Sequence, residues 1–277
     1  MATLYLVATP IGNLEDITLR AQRVLAEVAL VAAEDTRHSG LLLRHLGLRK
    51  PLLSLHEHNE AARIPTILAA LERGEDVALI SDAGTPGLSD PGYRLVRAVW
   101  EAGHRVVPVP GASALLAALV ASGLPTDRFL FLGFPPRKAA AREGLLRELA
   151  NEPGTLVFFE APTRLPALLQ AIATVLGPER PVVVARELTK VHETFWRGTA
   201  AEAVTAFAEP PPGEIVVLVG GAPAETTTPA PTAPEVTAVL RGLLAGGMSA
   251  SEAARLLARL TGLPRRELYR LAQGGKE

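Results

Sequence analysis

Five short runs of aliphatic and β-branched residues alternate with helix-like stretches through the first part of the chain. The runs are Thr3–Val7, Val28–Ala32, Leu52–Leu55, Val77–Ser81 and Arg105–Val109. Between them lie segments such as Asn59–Arg73 and Tyr93–Ala102, closed by Gly74 and Gly103 as helix C-termini usually are. Parallel strands need a crossover, most often a helix, so the alternation predicts βαβ units around a parallel sheet.

The segments that follow the runs carry the chemistry. They are Thr9–Asn13, Glu34–Arg37, His56–Asn59, Asp82–Gly92 and Pro110–Ser113. In an open parallel sheet all carboxyl ends share one edge, and ligands bind there. Five polar or glycine-rich segments are therefore expected on one rim.

Beyond about Thr126 the pattern changes. Phe129–Phe134, Thr155–Ala161, Pro181–Thr189, His192–Thr199 and Glu214–Gly221 read as strands, with helices near Ala139–Ala150 and Thr163–Leu176. Two of these strands follow each other closely enough for a hairpin, which predicts a mixed sheet. Residues 222–234, nearly all Ala, Pro and Thr, read as an extended linker. The remainder predicts two or three short helices with helix–turn–helix rhythm. The expected organisation is an α/β lobe over 1–114, a second α/β lobe over 115–221, the linker, and a helical module over 235–277.

Composition narrows the chemistry. The chain has 277 residues and no cysteine, which excludes disulfide scaffolds, cysteine–zinc sites, iron–sulfur ligation and thiol catalysis. No apolar run reaches the roughly 18 residues of a membrane span, and Met1–Val7 lacks a basic n-region, so a cytoplasmic protein without membrane attachment is expected. A formal net charge of −1 argues against a general nucleic-acid coat. That average conceals a basic C-terminal module, in which seven Lys and Arg oppose four Glu from Pro234 onward. A local charge of +3 on a tethered module suits docking on folded RNA, and suits a solubilising helical cap equally.

Asp82–Gly92 packs Gly84, Gly87, Gly92, Pro86 and Pro91 into eleven residues, longer than an ordinary βα turn. Glycines let backbone pass close to a ligand, and exposed amides there hold anionic groups. Neither G-x-G-x-x-G nor G-x-x-x-x-G-K-[ST] occurs, which weakens dinucleotide and ATP readings. Glu34-Asp35-Thr36-Arg37 offers a base and an anion clamp, or a helix cap with a surface ion pair. His56-Glu57-His58-Asn59 lacks a third metal ligand, so a substrate-facing loop or an Asn59 cap is expected rather than a metal site. Ala185–Glu193 is a solvated hairpin or, with Phe195, Trp196 and Arg197, a substrate-facing arm.

Taken in order, Val7–Thr18, Ala33–Arg37, Ser54–Asn59, Ile80–Gly92 and Val109–Ser113 resemble the tetrapyrrole-methylase superfamily of S-adenosylmethionine-dependent methyltransferases. Gly133–Arg137, Phe158–Arg164, Ala185–Lys190 and Gly213–Val216 extend the likeness over the second lobe. Within the superfamily the chain is most similar to the ribose 2′-O-methyltransferases of small-subunit ribosomal RNA. The resemblance implies a two-lobed α/β fold, a homodimer, and S-adenosylmethionine in the cleft between the lobes with no metal. It implies as substrate a cytidine ribose in small-subunit ribosomal RNA, free or in an assembling subunit.

By motif position Pro10, Asp82, Ala83, Gly84, Gly87 and Leu88 would hold the cofactor from the first lobe, with Ser113 and Ala114 after the fifth strand. Phe159, Leu188, Glu214 and Ile215 would hold it from the second. Superfamily members acting on tetrapyrroles carry G-G-D-P where this chain has Ser81-Asp82-Ala83-Gly84. Asp35, Arg37 and Glu57 are the expected catalytic set, a carboxylate to take the ribose proton and Arg37 to hold a phosphate. The competing readings are a tetrapyrrole or precorrin C-methyltransferase, and a non-catalytic ribosome-assembly factor using the same cleft.

Overall fold

A computed structural model describes residues 2–223, 233–261 and 263–273, the side chains of 233–235 excepted. Most of the expected linker lies outside the described residues. The chain divides into two compact units, Met1–Ala222 and Pro223–Glu277.

The first unit opens with β1 (Thr3–Val7), α1 (Leu19–Glu27), β2 (Leu30–Ala33), α2 (Thr36–His45), β3 (Leu52–Ser54), α3 (Glu60–Glu72), β4 (Val77–Ile80), α4 (Tyr93–Glu101) and β5 (Arg105–Val109). The strands form a wholly parallel sheet in the order β3-β2-β4-β1-β5. Side chains alternate across it. Val31, Ala33, Ala78 and Ile80 pack with α1 and α2, while Ala32, Val77 and Leu79 pack with α3 and α4. Burial on both faces explains why these strands read as continuous apolar runs. The second strand begins two residues later than expected, because the Val28 amide completes α1 by donating to the Val24 carbonyl at 3.0 Å.

The connecting helix α5 (Ala114–Ser122) is so uniformly apolar that its sequence shows no helical period. Leu115, Ala118 and Leu119 face the second sheet, and burying each leucine contributes on the order of 2 kcal/mol. Leu116 and Val120 remain exposed on the opposite side.

The second lobe adds β6 (Phe129–Phe131), α6 (Ala139–Glu148), β7 (Thr155–Glu160), α7 (Leu165–Val175), β8 (Pro181–Arg186), β9 (Thr194–Thr199), α8 (Ala200–Ala206) and β10 (Ile215–Val219). Its sheet runs β6-β7-β10-β8-β9, parallel between β6 and β7 and antiparallel elsewhere. One face packs on α6, α7 and α8, the other on α5 and Ile11 of the first lobe. The expected hairpin is present, and Phe195–Arg197 do not form a substrate-facing arm. Phe195 packs in the inter-lobe core, the Trp196 ring meets Phe207 at 5.5 Å, and the Arg197 guanidinium donates to the Ser122 carbonyl at 2.9 Å, capping α5.

The second unit contains α9 (Ala233–Ala245), α10 (Ala250–Thr261) and α11 (Arg265–Ala272), with a core including Val236, Leu240, Ala253, Leu257 and Leu268. Ser249 and Glu252 start α10 with a reciprocal cap: the Ser249 amide donates to the Glu252 carboxylate at 3.2 Å and the Glu252 amide to the Ser249 hydroxyl at 3.3 Å. Among the described residues no helix is long and apolar enough to cross a membrane.

Candidate active site

The chain leaves β1 toward β2 on one side of the sheet and leaves β4 toward β5 on the other, although β1 and β4 are neighbours. Their following loops therefore diverge and open a crevice, the usual ligand position in such sheets. Across that crevice Thr9 and Gly84 exchange both backbone hydrogen bonds, and the Thr9 hydroxyl donates to the Ser81 carbonyl at 3.1 Å. Gly84 has φ +83°, and a Cβ there would sit 3.3 Å from Ile11 Cγ2. The sequence needs glycine at this point for both reasons.

A cavity of about 330 Å³ lies between the two lobes of this unit. Ala83, Gly84, Leu88, Ser113 and Ala114 line it from the first lobe. Phe159, Leu188, Glu214 and Ile215 line it from the second. Pro10 and Asp82 line a neighbouring hollow of about 150 Å³ instead, and Gly87 lines neither. The chain passes from one space to the other between Pro10 and Ile11 and between Asp82 and Ala83, so Ile11 and Ala83 line the larger space while Pro10 and Asp82 line the smaller.

Leu188 reaches the cavity through a strained turn. Glu187 (φ +53°) and Thr189 (φ +65°) flank it in left-handed backbone, a cost of about 1–2 kcal/mol for each L-residue. Polar contacts hold the turn closed. The Glu214 amide donates to Glu187 Oε1 at 2.9 Å, and Lys190 Nζ reaches Glu187 at 2.9 Å and Glu214 at 3.2 Å. The charged run that interrupts an apolar strand in the sequence is this clamp, and it ends β8 at Arg186 rather than Thr189.

Three carboxylates gather where β2 and β4 end. Burial, then the charge of Asp82, raises the Glu34 carboxyl above its ordinary value. Burial, then the charge of Glu34, pushes Asp90 up to about 6, against a hydrogen bond from Ser81 that pulls it down. Asp90 lines the larger cavity, as does Glu160, which is paired with Arg164 at 3.0 Å. Neither is among the residues expected from sequence. The signal for Asp90 was its place inside the glycine-rich loop after a buried strand, where a carboxylate is forced out of water.

The expected catalytic residues lie on the same rim but outside the residues lining either hollow. Asp35 is the N-cap of α2, accepting the Arg37 amide at 2.8 Å and its guanidinium at 2.8 and 3.1 Å. That bonding holds the Asp35 carboxyl down at about 2. Arg37 and Glu57 are exposed. Asn59 does not cap α3 with its side chain. Its Oδ1 accepts the His56 amide at 2.8 Å and its Nδ2 donates to the Ser54 carbonyl at 3.2 Å, closing the preceding loop. Among the described residues no three His, Asp or Glu side chains form a metal-binding set.

Two lobes meeting at a glycine-lined crevice, one sheet parallel and one mixed, define the tetrapyrrole-methylase class of fold. The family described as Tetrapyrrole (Corrin/Porphyrin) Methylases matches residues 3–204, and the RsmI C-terminal HTH domain matches residues 230–276. The methyltransferase CobJ superposes with a TM-score of 0.62 at 21% identity, covering 80% of this chain and 95% of its own. Uroporphyrin-III C-methyl transferase from Thermus thermophilus, complexed with S-adenyl homocysteine, superposes at 0.56 with 23% identity over 78% of this chain and 97% of its own. A protein of Synechocystis sp. named ribosomal RNA small subunit methyltransferase I is 51% identical over 273 residues, 98% of each chain. The chain belongs to the tetrapyrrole methylases and, within them, to the ribosomal RNA small subunit methyltransferase I family.

Proposed function

We propose that the protein is a cytoplasmic, homodimeric S-adenosylmethionine-dependent enzyme that methylates the 2′-oxygen of a cytidine ribose in small-subunit ribosomal RNA. The observation that carries this reading is the larger cavity, lined by nine of the twelve residues that the resemblance nominated for the cofactor, in a chain 51% identical over 273 residues to a protein named as a ribosomal RNA methyltransferase. Its volume falls in the range of small-molecule sites. Phe159, Leu188 and Ile215 suit an adenine ring, Ser113 and backbone of the glycine loop suit a carboxylate, and nearby Glu34 and Asp90 suit a cationic ligand. Exposed Leu116 and Val120 on α5 support an apolar subunit contact.

When bound, S-adenosylmethionine supplies an already activated methyl group. The protein's task is to align the hydroxyl and take its proton. A base works best with a pKa near the working pH. Asp35, held at about 2 by Arg37, is a weaker candidate than Asp90 at about 6, which lines the cavity itself. We therefore assign the proton to Asp90. Asp35 fixes Arg37 on the exposed rim, where its guanidinium is placed to meet an RNA phosphate.

Mass-spectrometric mapping of ribose methylation in cells lacking the protein tests the reading, paired with tritiated methyl transfer to their immature small subunits. One ribose that loses its methyl in the cells and regains it in vitro is expected. Transfer to uroporphyrinogen, or to no acceptor, would overturn it.

A further inference from the structure

The smaller hollow is built, not incidental. One face of α2 supplies His38, Leu41, Leu42 and His45 at positions i, i+3, i+4 and i+7, and Pro10 with Asp82 closes the other side. Its volume of about 150 Å³ is that of a cavity able to hold one six-membered ring. Ser39, only 2% exposed, lines it with a hydroxyl that has no hydrogen-bonding partner. Buried polar atoms are nearly always paired, so the missing partner points to a ligand. Asp82 Oδ1 accepts the Asp35 amide at 3.0 Å, which orients the carboxylate and does not use Oδ2.

The hollow also shares a wall with the larger cavity. Pro10 and Asp82 line one side, Ile11 and Ala83 the other, and the paired Thr9 and Gly84 form the divide. With only this pair of segments between the two spaces, a sugar attached to a ring in the smaller hollow has the larger cavity as its neighbour.

We propose that this hollow seats the base of the nucleotide being methylated, with Asp82 accepting a hydrogen bond from the exocyclic amine of cytosine. The inference rests on the RNA-methylation reading above. A one-ring space favours a pyrimidine over a purine. A carboxylate favours the amine of cytosine over the carbonyl that uracil carries at the same position. Enzymes that act on an unpaired nucleotide commonly seat its base in such a pocket and read its pairing edge. Asp82, carried by the glycine loop, is thus a specificity residue for the RNA while its neighbours Ala83 and Gly84 line the larger cavity.

The test uses the full-length protein and small ribosomal subunits carrying either the mapped cytidine or uridine at the methylated position. The wild type is expected to prefer cytidine by on the order of 10- to 100-fold, and Asp82→Asn, whose amide donates to a carbonyl, to bring the two within a few-fold. Leu41→Trp, on a residue 58% exposed, plugs the hollow from its rim. It is expected to lower methylation at least about 10-fold while S-adenosylhomocysteine binding, which also reports folding, stays within about twofold. Wild-type rate and cytidine preference in both variants would overturn the base site and leave the proposed function standing. No methyl transfer by the wild type to either subunit would overturn both.

Discussion

Thr9 and Gly84 are joined by two backbone hydrogen bonds, 2.9 Å from the Thr9 amide and 3.0 Å from the Gly84 amide. The pair ties the loop after β1 to the loop after β4 at the point where the sheet's connections diverge. Each loop alone is irregular; bound together they make a partition with a space on either side.

That partition depends on glycine at 84. Gly84→Ala forces an L-residue into φ +83° and brings its Cβ against Ile11, so a loss of about 1–2 kcal/mol is expected. Gly92→Ala is expected to cost more, because at φ +140° its Cβ would sit 2.9 Å from Leu79 Cδ2. Urea denaturation measures both. Calorimetric titration with S-adenosylhomocysteine should show weaker binding for Gly84→Ala.

Glu60 is a buried carboxylate on α3 that accepts the amides of Gly92 at 3.2 Å and Leu95 at 3.0 Å, capping α4 from a neighbouring helix. Glu60→Ala leaves those donors without a partner and should destabilise the fold by about 2–4 kcal/mol. Glu60→Gln retains an acceptor and should cost about half as much. Equal losses for the two variants, read from denaturation midpoints, would show that the negative charge, rather than a retained neutral acceptor, carries the cap.

Asp90 sets a pH dependence of known sign. Its carboxyl lies at about 6 in the folded chain against an ordinary value of 3.8, so between those values the folded state holds the extra proton. Stability from this group is therefore lost as pH rises through that window. Asp90→Asn should raise the melting temperature at pH 7.5 and lose that gain near pH 4. The same substitution should lower methylation by at least about 100-fold and abolish the rise in kcat/KM centred near pH 6. A variant with the wild-type pH profile would remove Asp90 as the base.

Ending the chain at Ala222, where the first compact unit ends, should leave S-adenosylhomocysteine affinity unchanged. Binding to small-subunit RNA should weaken by on the order of 10-fold and become less sensitive to salt, as expected when basic side chains leave an RNA contact. Filter binding across a salt series checks this, and an unchanged slope would relieve the helical module of any part in docking.

Much of this architecture is legible in the sequence because its physics is local. The five apolar runs and their glycine ends mark the parallel sheet, and its parallel order brings their following loops to one edge. The apolar α5 was not legible, because a helix flanked by apolar partners needs no polar face and loses its period. Asn59 stands at the start of α3, as one reading of the sequence had it, but its side chain closes the preceding loop instead, because a sequence cannot say which amide an Asn side chain will face.

The site shows the same division at a finer scale. The sequence from Ser81 to Gly84 was sufficient to mark this loop as part of the rim. It did not say which residues would line which space, because that depends on how this loop packs against the segment after β1. The pairing of Thr9 with Gly84 divides the two spaces, with Ala83 lining the larger cavity and Asp82 the smaller one. The elevated carboxyl of Asp90 is likewise a tertiary property, since Glu34, 56 positions away in the chain, becomes its neighbour only when β2 pairs with β4. Residue types and their order determined the family and the rim; long-range pairing decided which side chains share a space, and so which of them can act together.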